Sequence, residues 1–281
     1  MDASSPIRID EASVRYDGWR IVAVCFLVAT FGWAFGFYGH SVYLAELHRQ
    51  HGWPASLISG ATTFFYLFGA AIVVFVSEAV RKFGPRACLV AGTCATAVAA
   101  IALGQVREPW QLYLANAALA FGWAGMSLAM INNTLGLWFA RKRGMAISLA
   151  LNGASFGGIA GVPLLVIAIG HFGFSRAMLI TAGLMVVLVV PAVLIFVGRS
   201  PLLLPGSAVA QAVDVPSATQ IRARALRDLG FLSVTTAFAL VLFAQRLLAD
   251  MRGRGRIGSR RHRGARQQRR MPNDQQHGRH H

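Results

Sequence analysis

Residues 138–158 read WFARKRGMAISLALNGASFGG: three consecutive cations are followed by small and apolar residues. No Asp, Glu, Lys or Arg then occurs before Arg176. Such a run exceeds the roughly 20 residues that a helix needs to cross about 30 Å of hydrocarbon. Cations at the start of an apolar run are typical of the cytoplasmic edge of a membrane. The stretch therefore predicts a membrane-spanning helix that begins beside Arg141, Lys142 and Arg143.

The composition of the whole chain agrees with a membrane protein. It is 55% hydrophobic and 14% charged, with a mean hydropathy of +0.52, whereas soluble domains carry about 25% charged residues. Helices are expected because a lipid-facing backbone must satisfy its own hydrogen bonds, and barrel strands would give short alternating segments. The predicted fold class is all-α. Six apolar runs predict spans at 21–45, 55–77, 87–106, 110–139, 144–169 and 177–197, and a shorter run at 229–245 predicts a partial seventh helix.

The distribution of cations predicts the orientation. When the spans are taken to alternate sides, thirteen Lys and Arg residues before residue 229 fall on one side and only Arg49, Arg107 and Arg176 fall on the other. Cytoplasmic loops carry the excess of cations. We therefore expect a multi-pass protein of the plasma or inner membrane, with a cytoplasmic N-terminus. The loops expected on that side include Arg81, Lys82, Gly84 and Arg86 and, further on, Arg141, Lys142 and Arg143.

Glycines recur at helical spacing in two of the spans. Gly32 and Gly36 lie in the first, and Gly153 and Gly157 lie in the fifth. Helices in lipid associate by close approach through small residues, so these glycines are candidates for helix packing. A second interpretation, in which they let helices rock during transport, is also compatible with the pattern.

The chain is expected to divide into five regions. Residues 1–18 form the N-terminus, 19–198 a six-helix domain, 199–228 a polar cytoplasmic linker, 229–245 the partial seventh helix and 246–281 a tail. Six spans, a long cytoplasmic loop and the start of another span are the organisation of one half of a twelve-helix transporter.

Several motifs resemble the major facilitator superfamily, and within it the monocarboxylate-transporter-like branch. The family's fifth-helix pattern is matched by Phe139, the three cations at 141–143, Ala146, Ala150, Gly153 and Gly157, with Ser148 in place of one glycine. Asp17, Gly18 and Trp19 are similar to the family's entry to its first helix. RKFGPR at 81–86 resembles the cytoplasmic loop between its second and third helices. The resemblance covers about residues 16–245 and implies a bundle of two inverted three-helix repeats.

The sequence departs from this family in two places. Ser77 and Arg81 stand where the superfamily usually has a glycine and an aspartate that pairs with cations. The family's coupling carboxylate and arginine in its eighth helix have no counterpart. The chain is therefore also compatible with a non-transporting membrane fragment that lacks a C-terminal half, or with a half that works as a homodimer or with a supplied partner half.

The tail from Arg246 onward contains eleven Arg, no Lys and two acidic residues. A basic segment this poor in aromatic residues is expected to be disordered. Three interpretations remain open: a frameshift near Gln245, anionic lipid binding and nucleic-acid binding through phosphates. The first agrees with a chain that uses two Lys against twenty-five Arg, and the last lacks interleaved stacking aromatics, so no specific nucleic-acid partner is expected.

Polar residues within the spans are the candidate substrate-binding residues. His40 is the only ionisable side chain inside the predicted first span, and such residues are functional candidates by default. In the resembled family a substrate-binding lysine followed by serine occupies this region, which implies a similar role for His40 and Ser41. A histidine near the outer end of the span that reaches water or a backbone carbonyl explains His40 equally well. Amides and phenols within spans need partners. They extend the candidate set to Tyr38, Tyr66, Asn132, Asn133 and Asn152, although hydrogen bonding between helices also explains them.

Other chemistry is not indicated. Cys25, Cys88 and Cys94 are scattered without metal spacing, and the sequence has no phosphate loop or nucleophile motif, so neither a cofactor, a metal nor enzyme activity is expected. The resemblance implies instead a proton-coupled carrier of small organic anions, of the monocarboxylate class, that works in the lipid bilayer by alternating access.

Overall fold

A computed structural model describes residues 16–198 together with Glu11, Ser13, Ser233, Thr236 and Leu240. The chain divides into two compact units, Met1–Val213 and Asp214–His281. Within the described residues every regular element is a helix, so the predicted all-α class is confirmed. The predicted linker and tail lie outside the described residues. So does the predicted partial seventh helix, except for the helical positions Ser233, Thr236 and Leu240.

Six helices of the first unit are long and apolar enough to cross a membrane, as the hydropathy pattern predicts. They are α1 (Gly18–His51), α2 (Ala55–Val73), α3 (Val76–Leu103), α4 (Pro109–Gly136), α5 (Arg143–Phe172) and α6 (Phe174–Phe196).

Helix α1 is longer than the predicted first span. Its 34 residues correspond to about 51 Å, compared with about 30 Å of hydrocarbon. It consists of α-helical Gly18–Phe31, a π-helical stretch Gly32–Tyr38 and α-helical Gly39–His51. The last part includes Glu46, Arg49 and two histidines near its end, and this polar end extends beyond the apolar run from which the prediction was made.

Two helices meet end to end within α3. Gly84 has φ 80° and ψ 158° there, a conformation that residues with a side chain rarely adopt. Pro85 follows in the first turn of the next helix, where its missing N–H costs no hydrogen bond. This break lies between the predicted second and third spans, in the loop that carries Arg81, Lys82 and Arg86.

Helices α4 and α5 are also interrupted. Helix α4 contains Pro109–Met126 and Leu128–Gly136, which are separated by Ser127 at ψ 168°. Its start is fixed by Gln111, whose side-chain oxygen accepts the backbone N–H of Arg107 at 2.8 Å. Helix α5 contains Arg143–Phe156, π-helical Gly157–Gly161 and Val162–Phe172.

The packing of the helices follows a two-fold pattern. Helix α1 packs along α5, helix α4 packs along α2, and α3 packs against α4 and α6. Exchanging α1 with α4 and α2 with α5 converts the first pairing into the second, as expected for two inverted three-helix repeats, α1–α3 and α4–α6. Helices α1 and α4 are the most buried of the six within the described residues.

The cation-rich loops lie at one end of this bundle. Asn133 donates to Ser77 Oγ at 3.1 Å, which joins α4 and α3 a few residues before 141–143 and 81–86, respectively. The hydroxyl of Tyr16 donates to the carbonyl oxygen of Trp138, so the start of α1 lies at the same end. At the opposite end, Ser175 Oγ donates to the carbonyl oxygen of Gly104 at 2.6 Å.

Candidate functional site

Three helices depart from α-helical geometry in one region of the bundle. In α1 the Gly39 N–H bonds to the Ala34 carbonyl oxygen five residues back, and in α5 the Val162 N–H bonds to that of Gly157 in the same way. The two π-helical stretches contact each other. Gly32, at the start of the first, packs on Met126, which precedes the Ser127 break in α4. Such π-helical stretches occur frequently at functional sites.

An aromatic cluster covers this region. We define it as Trp33, Phe37, Tyr38, Phe65, Tyr66 and Trp123. Trp123 of α4 is its centre, with ring centroids 4.7 Å from Trp33 and 5.8 Å from Phe37, both in the π-helical part of α1. Phe37 also contacts Tyr38 at 5.2 Å and Tyr66 of α2 at 6.2 Å. The cluster thus joins α1, α2 and α4 through their side chains.

His40 lies at the edge of the aromatic cluster. It is only 3% exposed, and its ring stacks on Phe65 with centroids 4.7 Å apart and lies 6.3 Å from Tyr66. Neither ring nitrogen has a hydrogen-bond partner among the described residues. The Tyr43 hydroxyl, one turn further along α1, is likewise buried without a partner in that part of the chain. A buried polar group without a partner is costly, so these atoms are candidates for binding a ligand.

The structure brings together three of the predicted site residues. Tyr38 and Tyr66 are 40% and 39% exposed within the described residues, and both lie beside Phe37 near His40. Tyr38 also packs on Gly158 of α5. Ser41 follows His40 but is exposed, and it donates to the Tyr38 carbonyl oxygen at 2.9 Å. The Tyr66 ring therefore lies beside the buried imidazole of His40, and Tyr38 contacts the same Phe37 from the side of α5.

The three predicted asparagines are elsewhere. Asn133 donates to Ser77, and the carbonyl oxygen of Asn132 accepts from Arg143 at 3.2 Å, so both lie near the cation-rich end. They follow Trp123 by nine and ten residues, which is about 15 Å along a helix. Asn152 of α5 is exposed. All three were predicted as substrate-binding residues together with His40 because hydropathy does not indicate the depth of each residue within its span.

The four predicted packing glycines lie where helices approach closely. A Cβ atom at Gly153 would overlap the carbonyl oxygen of Phe26, and one at Gly157 would overlap that of Thr30. A Cβ at Gly36 would lie 2.9 Å from Trp123. These positions therefore leave no room for a side chain between α1 and its neighbours.

A carboxylate joins the N-terminal segment to the loop before α5. Glu11 accepts the backbone N–H groups of Ala140, Arg141 and Lys142 at 2.7 to 3.2 Å. Partial burial raises the pKa of Glu11, but these hydrogen bonds and the Arg141 charge outweigh it and hold the pKa below its usual value. Burial and the neighbouring carboxylates of Glu11 and Asp17 raise the pKa of Tyr16.

Trp33 and Trp123 were not among the residues predicted from the sequence. Tryptophans in membrane proteins are enriched at the two interfaces, and a tryptophan in the middle of a predicted span departs from that rule. This departure is the signal by which they could have been found. Among the described residues no group of three His, Cys, Asp or Glu side chains could hold a metal ion.

Comparison with known proteins gives a matching family model, described as Major Facilitator Superfamily, over residues 23–251. The MFS-type transporter pynF of Aspergillus niger is 29% identical over 211 residues, which are 71% of this chain and 46% of that protein. Monocarboxylate transporter 4 of Rattus norvegicus is 27% identical over 239 residues, 80% of this chain and 47% of that protein. Monocarboxylate transporter 13 of Bos taurus is 29% identical over 174 residues, 59% and 39%, respectively. The chain spans about half the length of the curated relatives it matches.

Proposed function

The chain belongs to the Major Facilitator Superfamily, and on that premise we propose that it takes part in moving a small, monocarboxylate-like organic anion together with a proton across a cell membrane. The family is one of transporters, as are the relatives it matches, so the chain is not an enzyme. Two of those relatives are named as monocarboxylate transporters, which supports the choice of substrate class.

The observation that carries the proposal is the buried imidazole of His40 beside the ring of Tyr66, with Tyr38 on the neighbouring Phe37. A charged group in an apolar environment needs a partner. A protonated imidazole and a carboxylate would each provide that partner for the other, so that the anion and the proton bind together. Histidine suits this role because its ring nitrogens can accept and release a proton. Tyr38 and Tyr66 would donate their hydroxyls to the second oxygen of the carboxylate.

Alternating access requires two halves that rock about a central site. We propose that the second wall is contributed by another copy of this chain or by a separate C-terminal half. The paired π-helical stretches of α1 and α5 lie next to the aromatic cluster, where helices must change their relative positions. The alternative remains a membrane protein that does not transport.

The test is uptake of radiolabelled lactate or pyruvate into proteoliposomes with an imposed proton gradient. We expect His40→Gln to reduce proton-driven uptake by about tenfold or more, because glutamine can donate a hydrogen bond but cannot carry the proton, so the anion loses its charged partner. His171→Gln is the matched control, since His171 is exposed near the end of α5 and its loss should leave uptake unchanged. Uptake by His40→Gln equal to that of the wild type would exclude His40 from the pathway. No uptake by inserted wild-type protein, over a panel of small carboxylates, would favour the alternative.

A further inference from the structure

An apolar groove, distinct from the aromatic cluster, opens on the side of the bundle. This side groove has a volume of about 430 Å³ and is lined by α2, α3 and α4, including Ile72, Phe83, Ala91 and Phe121. Phe83 and Phe121 are 63% and 50% exposed. Apart from the thiol of Cys88, every side chain that lines it is apolar, so a polar solute would gain no strong hydrogen bond from these side chains.

The depth of the side groove follows from a close contact between two helices. A Cβ atom at Gly92 of α3 would lie 2.8 Å from the Cα of Gly125 of α4, so neither position can carry a side chain. Both glycines line the groove. Because these glycines add no side-chain volume, they form the base of the groove, and the larger side chains around them form its sides.

The length of the side groove matches one leaflet of a bilayer. On one side, its lining residues run from Ile72 to Phe83, a separation of eleven residues. Val74 and Phe75, which join α2 to α3, keep right-handed helical dihedral angles, so the rise per residue of a helix applies across the junction. At 1.5 Å per residue this is roughly 16 Å, and half of the hydrocarbon core is about 15 Å. An acyl chain would therefore fit along it.

Three cations lie beside one end of the side groove, the end that is nearest to the cation-rich loops. Arg81, Lys82 and Arg86 lie in the same turn as the groove-lining residues Phe83 and Ala87, and the Lys82 ammonium is 5.3 Å from the centre of the Phe83 ring. The ion pairs found among the described residues do not include these three cations. They outnumber the one acidic residue of this segment, Glu78, so the segment attracts anions.

We propose that the side groove binds an anionic phospholipid of the membrane, with an acyl chain along Ile72, Ala91 and Phe121 and the phosphate beside Arg81, Lys82 and Arg86. The apolar lining, the one-leaflet length and the cations at one end together fit a molecule with a long apolar chain and a negative head. This site shares no residue with the aromatic cluster. It therefore stands or falls independently of the proposed transport function.

The experiment titrates the purified full chain in detergent with dioleoyl phosphatidylglycerol or dioleoyl phosphatidylcholine. Bound lipid is counted by native mass spectrometry, and the Tm is followed by tryptophan fluorescence. We expect phosphatidylglycerol, but not phosphatidylcholine, to remain bound and to raise the Tm. The variant R81Q/K82Q/R86Q should bind phosphatidylglycerol about a hundredfold more weakly, because each of the three cations contributes about fivefold at a membrane surface. Equal binding of the two lipids by the wild type would overturn the proposal.

A second triple variant separates this site from general surface charge. R20Q/R141Q/K142Q removes three cations from the same end of the bundle, none of which borders the side groove. It should keep wild-type affinity for phosphatidylglycerol. An equal loss in the two triple variants would mean that lipid responds only to total charge, and the site would be rejected.

Filling the side groove tests the acyl chain. Ala87 and Ala91 line the groove and are exposed, so Ala87→Leu or Ala91→Leu should weaken phosphatidylglycerol binding although all three cations remain. If one leucine variant has a lowered Tm in phosphatidylcholine, its fold is impaired, and the binding of phosphatidylglycerol is then judged from the other variant. Undiminished binding by a leucine variant that folds as the wild type does would refute the acyl-chain part of the site.

Discussion

At the scale of single residues, Glu11 shows how one carboxylate can fix a loop. The loop before α5 contains consecutive backbone N–H groups that no helix satisfies, and Glu11 accepts three of them. Hydrogen bonds from amides to a carboxylate are stronger than those between neutral groups. The N-terminal segment is therefore tied to the loop that carries Arg141 and Lys142.

We expect Glu11→Gln to release these amides. Hydrogen exchange at residues 140–142, measured at pH 7, should become about tenfold faster, since a neutral amide oxygen is a weaker acceptor than a carboxylate. Glu46→Gln is the control, because Glu46 accepts from Arg49 and Gln50 side chains elsewhere on α1. Unchanged exchange in Glu11→Gln would show that Glu11 does not hold the loop.

The same contact has a pH dependence of known sign. The pKa of folded Glu11 lies below its usual value, so its stabilising effect is fully present above the ordinary glutamate pKa and is lost as the pH falls through the lowered one. After correction for intrinsic exchange rates, protection at 140–142 should fall on acidification in the wild type. In Glu11→Gln it should not change over that range.

The sequence identifies single residues better than it identifies their neighbours. His40 could be predicted as a candidate because an ionisable residue within an apolar run is unusual. Its stacking on Phe65 and its burial could not, because they depend on how α2 packs against α1. Asn133 shows the converse: its place among the candidates came from its amide, and its hydrogen bond to Ser77 on another helix depends on the fold.

At the scale of helices, the contact of α1 with α5 depends on glycine. Gly153 meets the carbonyl oxygen of Phe26 so closely that a Cβ atom has no space. Backbone atoms cannot rotate away as a side chain can, so a methyl group there must separate the helices. Close packing of the two helices therefore accounts for a glycine at position 153.

We expect Gly153→Ala to lower the free energy of unfolding by about 1–3 kcal/mol, the usual cost of overpacking. Gly183→Ala is its matched control, since Gly183 lies within α6 with no atom near its missing side chain, and alanine should be neutral or stabilising by up to about 1 kcal/mol. The measurement is unfolding in mixed micelles with SDS, followed by tryptophan fluorescence. Similar destabilisation by both variants would mean that close packing at Gly153 is not the cause.

The positions of the helices could be predicted, and their irregularities could not. Hydropathy over about 20 residues locates a span because crossing the hydrocarbon requires that length. It averages over several turns, so the extra residue of a π-helical turn at Gly32–Tyr38 or Gly157–Gly161 leaves no trace in it. The length of α1 was underestimated for the related reason that its end beyond Ala45 is mostly polar.

At the scale of the whole molecule, the exposed side chains of Tyr38 and Tyr66 leave the proposed substrate site open on one side. Their exposure within the described residues and the chain's coverage of about half of its relatives support the proposal that a second wall completes it. The sequence could predict the six-helix bundle because each helix carries its own apolar run. It could not predict what would form the proposed second wall, since the exposed tyrosines that would face it lie on two different helices, α1 and α2.

The loops at the cation-rich end also determine where the protein can be labelled chemically. The only lysines in the chain are Lys82 and Lys142, and the Asn133 to Ser77 contact places both of their loops at the same end of the bundle. Because the distribution of cations predicts that this end is cytoplasmic, a membrane-impermeant N-hydroxysuccinimide ester, which acylates amines, should leave intact cells unlabelled and modify the protein in inverted vesicles. Labelling of intact cells would reverse the proposed orientation. The unaltered chain thus carries its lysine handles on one side of the membrane only.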